Sequence, residues 1–122
     1  MSRAEALRRQ ADVFSALSDP TRLSLLLMLA AGHPHSIIML TGDTGLTRQA
    51  VTKHLHVLEH AGLVSSVRTG RENRYTCRSG ALGEARDFLD QVSTLWDDAL
   101  ERLKGVVEDD RVAGQGVDLV RV

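Results

Sequence analysis

Five side chains between residues 48 and 56 carry the most chemistry in the chain. Arg48, Gln49, Thr52, Lys53 and His56 recur at steps that place them on one side of a helix. Each can offer a hydrogen bond, and the first acid, Glu59, comes only near the end of the run. Such a face suits base edges and phosphates: arginine or lysine can donate to guanine, and glutamine can bridge adenine. Other chemistry finds little support. His33 and His35 lie across Pro34 with no cysteine or carboxylate beside them, which reads as a polar turn rather than a metal site. His54 and His60 read as packing or capping residues. Cys77 is the only cysteine, so its default role is that of a small strand residue. There is no nucleophile next to a base, no glycine-rich phosphate loop and no pair of carboxylates to bring together. No enzyme activity, metal or cofactor is expected.

The elements that must hold this face can be read around it. Val51, Leu55 and Leu58, with Ala50, Val57 and Ala61 beside them, have the three-and-four spacing of a helix with one buried side. Thr47 can cap its first turn and Gly62 can end it. Ser36 to Thr44 reads as a shorter helix, and Gly45-Leu46-Thr47 leaves room only for a tight turn between the two. After Gly62, Leu63 to Arg68 and Asn73 to Cys77 lean to strand and are joined by Thr69-Gly70-Arg71-Glu72, a hairpin studded by Arg68, Arg71 and Arg74. Helix, turn, polar helix and basic hairpin make a winged helix-turn-helix, in which the second helix enters a major groove and the wing follows the backbone or a minor groove.

Ala4 to Leu17 has Leu7, Ala11, Phe14 and Leu17 at helical spacing. Ser18-Asp19-Pro20 stops it, and Asp19 with Pro20 starts a second helix running to about Ala31. That helix is apolar almost all round, which marks it as the buried centre, and Gly32 ends it. From Ala81 to Glu108, Leu82, Ala85, Leu89, Val92, Trp96, Ala99, Leu103 and Val106 alternate steps of three and four, the seam of a coiled coil. A helix of that length, about 40 Å, cannot bury its whole stripe on so small a domain. Phe88, Leu95, Leu100 and Val107 add a second strip, so one strip can face the domain and the other a partner, with the first helix as companion. A helix packed wholly within the monomer is the alternative. The fold class is mainly α with a small β-hairpin, in the order α-α-α-α-β-β-α.

The 122 residues suffice for one domain, placed at 1–108, with a loose tail at 109–122. The net charge of −1 argues against a nucleic-acid partner until it is mapped. Residues 46 to 78 hold six basic side chains against two acidic ones, while residues 79 to 122 hold five against ten. The basic part coincides with the polar helix and the hairpin. The longest apolar run, Leu25 to Ala31, is too short to span a membrane, and the N-terminus has no secretion pattern. With a lone cysteine, these features are consistent with a reducing cytoplasm, which is the expected location.

Leu17-Ser18-Asp19-Pro20-Thr21-Arg22-Leu23, the run Val51 to Val64 and Gly70-Arg71-Glu72-Asn73-Arg74-Tyr75 together resemble the ArsR-type winged-helix repressors of bacteria, over roughly residues 5 to 108. The resemblance implies a homodimer built by the first and last helices, with Leu7, Ala11, Phe14, Leu89, Val92, Trp96, Ala99 and Leu103 at its interface. It also implies double-stranded operator DNA as the partner, met by Thr47, Arg48, Gln49, Thr52, Lys53, His56, Arg68, Arg71 and Arg74. Many such repressors sense metal through a Cys-x-Cys pair before the turn; the corresponding positions here are Ser36 and Ile38. Others use ligands that include histidine on the last helix, and no histidine follows His60. The chain resembles a non-metal branch, and the expectation is a homodimeric repressor of its own or a neighbouring operon at an inverted repeat. An organic ligand, a protein partner or its own concentration alone would release it. Two other readings compete: a metal-responsive repressor with an atypical site of His33, His35 or carboxylates, and a protein-interaction module that kept the fold.

Overall fold

The computed structural model describes residues 1–112, with side chains as far as Asp109. Residues 1–86 form one compact unit. In chain order it holds α1 (Arg3–Leu17), α2 (Pro20–Leu29), β1 (His35–Ser36), α3 (Ile37–Thr44), α4 (Arg48–His60), β2 (Val64–Thr69), β3 (Glu72–Cys77) and the start of α5 (Ser79–Val112).

Capping side chains mark the helix starts as their types demand. Ser2, Asp19, Ser36 and Thr47 each sit in extended conformation and accept a hydrogen bond from a backbone N–H of the following turn. Between α3 and α4, Gly45 is left-handed at φ +70 and its N–H closes on the Thr41 carbonyl at 3.0 Å. A side chain at that φ would be strained, so glycine sets the short turn. The core lies beneath α4: Leu25 and Leu29 of α2, Leu40 of α3, Val51, Leu55 and Leu58 of α4, and Leu63 and Val64 are all less than 2% exposed. Each buried leucine contributes about 1.5–3 kcal/mol, so this cluster fixes how α4 is held.

Two features depart from expectation. The segment His33-Pro34-His35 is not simply a polar turn: His35 and Ser36 form β1, which pairs antiparallel with β3 through His35↔Tyr75 and Ser36↔Arg74. The sheet therefore has three strands, in the order β1-β3-β2. His35 is buried, its Nδ1 donating to the His33 carbonyl at 2.9 Å, with the two imidazoles stacked. Helix α2 is not buried all round either. Leu25, Leu26 and Leu29 enter the core, whereas Leu23 and Leu27 are exposed, Leu27 to 77%.

A clasp around Asp19 and Arg22 ties the helices together. The Asp19 carboxylate caps α2 by accepting from the Arg22 N–H at 3.0 Å. The Arg22 guanidinium reaches back to the carbonyls of Ala16 at 2.8 Å and Ser15 at 3.2 Å, at the end of α1. It also lies 3.4 Å from Nδ1 of His54 on α4. The Arg22 N–H holds the Asp19 carboxyl below its ordinary range; partial burial opposes this, and the charges of Arg22 and then His54 assist it. Tyr75 is buried in the sheet, and burial, followed by the Glu59 carboxylate, raises its phenol above the usual range.

The second unit begins at Asp87 and, among the described residues, is the continuation of α5. The helix starts two residues before the expected Ala81 and ends four after Glu108. Leu89, Leu95, Trp96, Leu100, Leu103 and Val106 are exposed along it, Val92, Ala99 and Phe88 are half-buried, and Val107 is buried. Of the tail expected at 109–122, the first four residues continue α5 and the rest lie outside the described residues. No helix among the described residues is long and apolar enough to cross a membrane.

Candidate nucleic-acid interface

The face expected from the sequence exists. Arg48, Gln49, Thr52, Lys53 and His56 line one shallow depression on α4, opposite the buried Val51, Leu55 and Leu58. Arg48, Gln49, Lys53 and His56 are exposed and Thr52 is half-buried. Arg48 occupies the first helical position of α4, where the helix dipole disfavours a cation, and no acid offsets it in that turn. A local rule broken at an exposed position is characteristic of function. An anion docked on this face would meet both the guanidinium and the positive helix end.

The hydroxyls are partly committed. Thr47 Oγ1 accepts from the Ala50 N–H at 3.1 Å, which leaves its proton free to donate outward. Thr52 Oγ1 donates to the Arg48 carbonyl at 2.8 Å, so it can offer a partner only acceptor lone pairs and its methyl group. His54 takes no part in this face: its Nδ1 lies 3.9 Å from the Asp19 carboxylate and it packs against the Arg22 clasp. His56 and His60 border a separate groove with Asp12, Ser15, Ala16, Val57 and Ala61. Among the described residues no group of three or more histidine, cysteine, aspartate or glutamate side chains could hold a metal ion.

The wing resolves three arginines into three environments. β2 and β3 pair from Val64↔Cys77 to Thr69↔Glu72, leaving Gly70 and Arg71 as a two-residue turn. Gly70 has φ +63 and Arg71 keeps a negative φ, as in the type II′ turn, which matches the strand twist. Directly opposed residues share a face, so Arg68 with Asn73 and Arg74 with Val67 lie on opposite faces of the hairpin. The Arg68 Nε donates to the Gly70 carbonyl at 3.3 Å, and the Arg74 Nε to the Glu72 carboxylate at 3.4 Å. Arg71, at the tip, has no side-chain partner among the described residues. Sequence places Ile38 only opposite a metal-ligand position of the family and Asn73 only within the wing motif, and puts neither beside the polar face. Both border the wing side of α4, and only the strand register and the β1 pairing bring them there.

Comparison with known proteins fits this geometry. A family model described as a helix-turn-helix domain matches residues 17–67. An uncharacterized HTH-type transcriptional regulator, YuzN of Bacillus subtilis, is 43% identical over 65 residues, covering 48% of this chain and 71% of its own. The structure of an ArsR-like transcriptional regulator from Rhodococcus sp. RHA1 superposes with a TM-score of 0.75 at 36% identity, over 83% of this chain and 94% of that one. A homodimeric winged helix-turn-helix DNA-binding domain from Mycobacterium bovis, described as a possible ArsR-family regulator, gives a TM-score of 0.60 at 27% identity, over 84% and 93%. With its capped recognition helix, its wing and these relatives, the chain belongs to the ArsR-type winged helix-turn-helix transcriptional regulators, DNA-binding proteins and not enzymes.

Proposed function

We propose that the protein is a homodimeric repressor that binds an inverted-repeat operator, at its own or a neighbouring operon, and is not controlled by a cysteine metal site. The observation that carries this is the exposed row Arg48, Gln49, Thr52, Lys53 and His56 on a helix whose other side is locked into the core. Gln49 and Lys53 read base edges in the major groove, Thr52 offers its methyl group and acceptor lone pairs, and Thr47 and His56 meet phosphates. The wing arginines Arg68, Arg71 and Arg74 add affinity along the backbone or in the adjacent minor groove.

A second copy covers the exposed apolar side chains of the last helix, among them Leu89, Trp96 and Leu103, together with the half-buried Val92 and Ala99, and packs against α1 at Leu7, Ala11 and the half-buried Phe14. The homodimeric state of the M. bovis domain supports this arrangement. A two-fold dimer presents its recognition helices about one DNA turn apart, roughly 34 Å, and covers a promoter without needing any further activity. The single, half-buried Cys77 supports a switch other than a thiolate metal site. An organic ligand, a protein partner or concentration alone then governs release.

Selection of bound sites from random DNA with the purified protein tests this reading. The expected outcome is an inverted repeat whose half-sites are about 10 base pairs apart, centre to centre. Recovery of single half-sites would remove the dimer, and recovery of no preferred sequence would remove the base-reading face.

A further inference from the structure

Between the recognition helix and the wing lies a second feature, a notch of roughly 190 Å³ bordered by Ile38 of α3, Arg48 at the start of α4, and Arg71, Glu72 and Asn73 of the wing. Two cations from elements 23 residues apart in sequence line the same depression, and neither side chain has an ion-pair or hydrogen-bond partner among the described residues. The one acid on its border, Glu72, is engaged with Arg74 at 3.4 Å. Asn73 adds amide donors, and Ile38, 59% exposed, supplies an apolar wall. Unpaired guanidinium groups that converge on a small concavity are suited to a tetrahedral oxyanion.

We propose that Arg48 and Arg71 grip a single backbone phosphate of the operator in this notch, with the adjoining deoxyribose against Ile38. The assignment rests on the DNA-binding reading above and deepens it. Arg48 becomes a positioning contact and leaves base discrimination to Gln49, Thr52 and Lys53. Arg71 reaches across from the wing to the same phosphate, so one contact fixes the wing relative to the recognition helix. Both residues come from the same compact unit, next to the turns at Gly45 and Gly70.

Counterion release separates this arrangement from two independent contacts. Each phosphate neutralised contributes about 0.9 to the slope of log affinity against log salt. If both arginines hold one phosphate, Arg48→Ala with Arg71→Ala lowers the slope by about 0.9 per protomer; separate phosphates would give about 1.8. The experiment measures operator and random-sequence DNA binding over a salt series for wild type, both single variants and the double variant. It then repeats the set on operators carrying one neutral methylphosphonate per half-site, scanned along the backbone. The expected result is a roughly tenfold loss for each single variant, equal on operator and random DNA, and one methylphosphonate position at which both losses vanish. A changed operator-to-random ratio on Arg48→Ala would make Arg48 a base reader and overturn the proposal. So would a slope change near 1.8 per protomer, or two different methylphosphonate positions for the two variants. Wild-type protein that binds no DNA would instead overturn the underlying DNA-binding reading, whereas a wild type that binds with all variants unchanged overturns the notch alone.

Discussion

Replacing Trp96 by alanine should weaken the homodimer severely while leaving each subunit folded. Trp96 is 64% exposed along the last helix. A tryptophan buries up to about 250 Å², so roughly 150 Å² is available to a second copy, worth at most about 4 kcal/mol at ~25 cal/mol per Å². Incomplete covering and the remaining Cβ bring this to about 2 kcal/mol per copy. A two-fold interface contains the residue twice, so the loss is about 4 kcal/mol per dimer, a roughly thousandfold rise in the dissociation constant. The helix itself should not suffer, because alanine is a better helix former than tryptophan. Sedimentation equilibrium over a concentration series reads the constant, and circular dichroism reads helix content. A dissociation constant within about threefold of wild type, with helix content unchanged, would refute the placement of Trp96 in the interface.

Three other consequences can be checked directly. Gln49→Ala and Lys53→Ala should each cost about 1–3 kcal/mol of discrimination, seen as a fall of roughly five- to 150-fold in the operator-to-random affinity ratio, with the dimer intact. Leu55→Ala, at a position with no exposed surface, should cost about 2–5 kcal/mol of stability in denaturant titration, because the cavity opens directly beneath the recognition face. Asp19→Asn keeps a capping side chain but removes the charge beside Arg22 and His54. Because the native Asp19 carboxyl titrates below the usual 3.8, its contribution is complete above about pH 4 and fades as pH falls through the lower native value. The stability gap between wild type and this variant should therefore be constant near neutrality and close in acid; a gap that widens in acid would contradict the clasp.

The sequence conveys some parts of this molecule better than others, for physical reasons. Helix α4 is legible because its pattern is local: Val51, Leu55 and Leu58 repeat at helical spacing and Thr47 caps the start. The hairpin is legible from Gly70, which supplies a turn conformation few other residues tolerate. Strand β1 is hidden because two residues carry no period and its partner, Tyr75 with Arg74, lies some forty residues away. Leu23 and Leu27 mislead because an all-apolar helix does not say which of its sides is covered. The reach of Arg22 to Ser15, Ala16 and His54 depends on three elements meeting, so its motif is visible as a pattern but not as a clasp. In the same way, three wing arginines look equivalent in sequence. Only the strand register separates Arg68 from Arg74, and only the fold brings Arg71 to line the same notch as Arg48.

Regulation of transcription through DNA bound by α4, without metal control, is the function proposed for this protein. The most direct measurement is its affinity for the DNA upstream of its own gene, over a salt series, with zinc, with cadmium and with a chelator. Tight binding that falls steeply with salt and is the same in all three conditions is the predicted result. Binding abolished or created by either metal would contradict the account and return the switch to the histidines and carboxylates. Absence of binding at low salt would contradict the operator assignment itself.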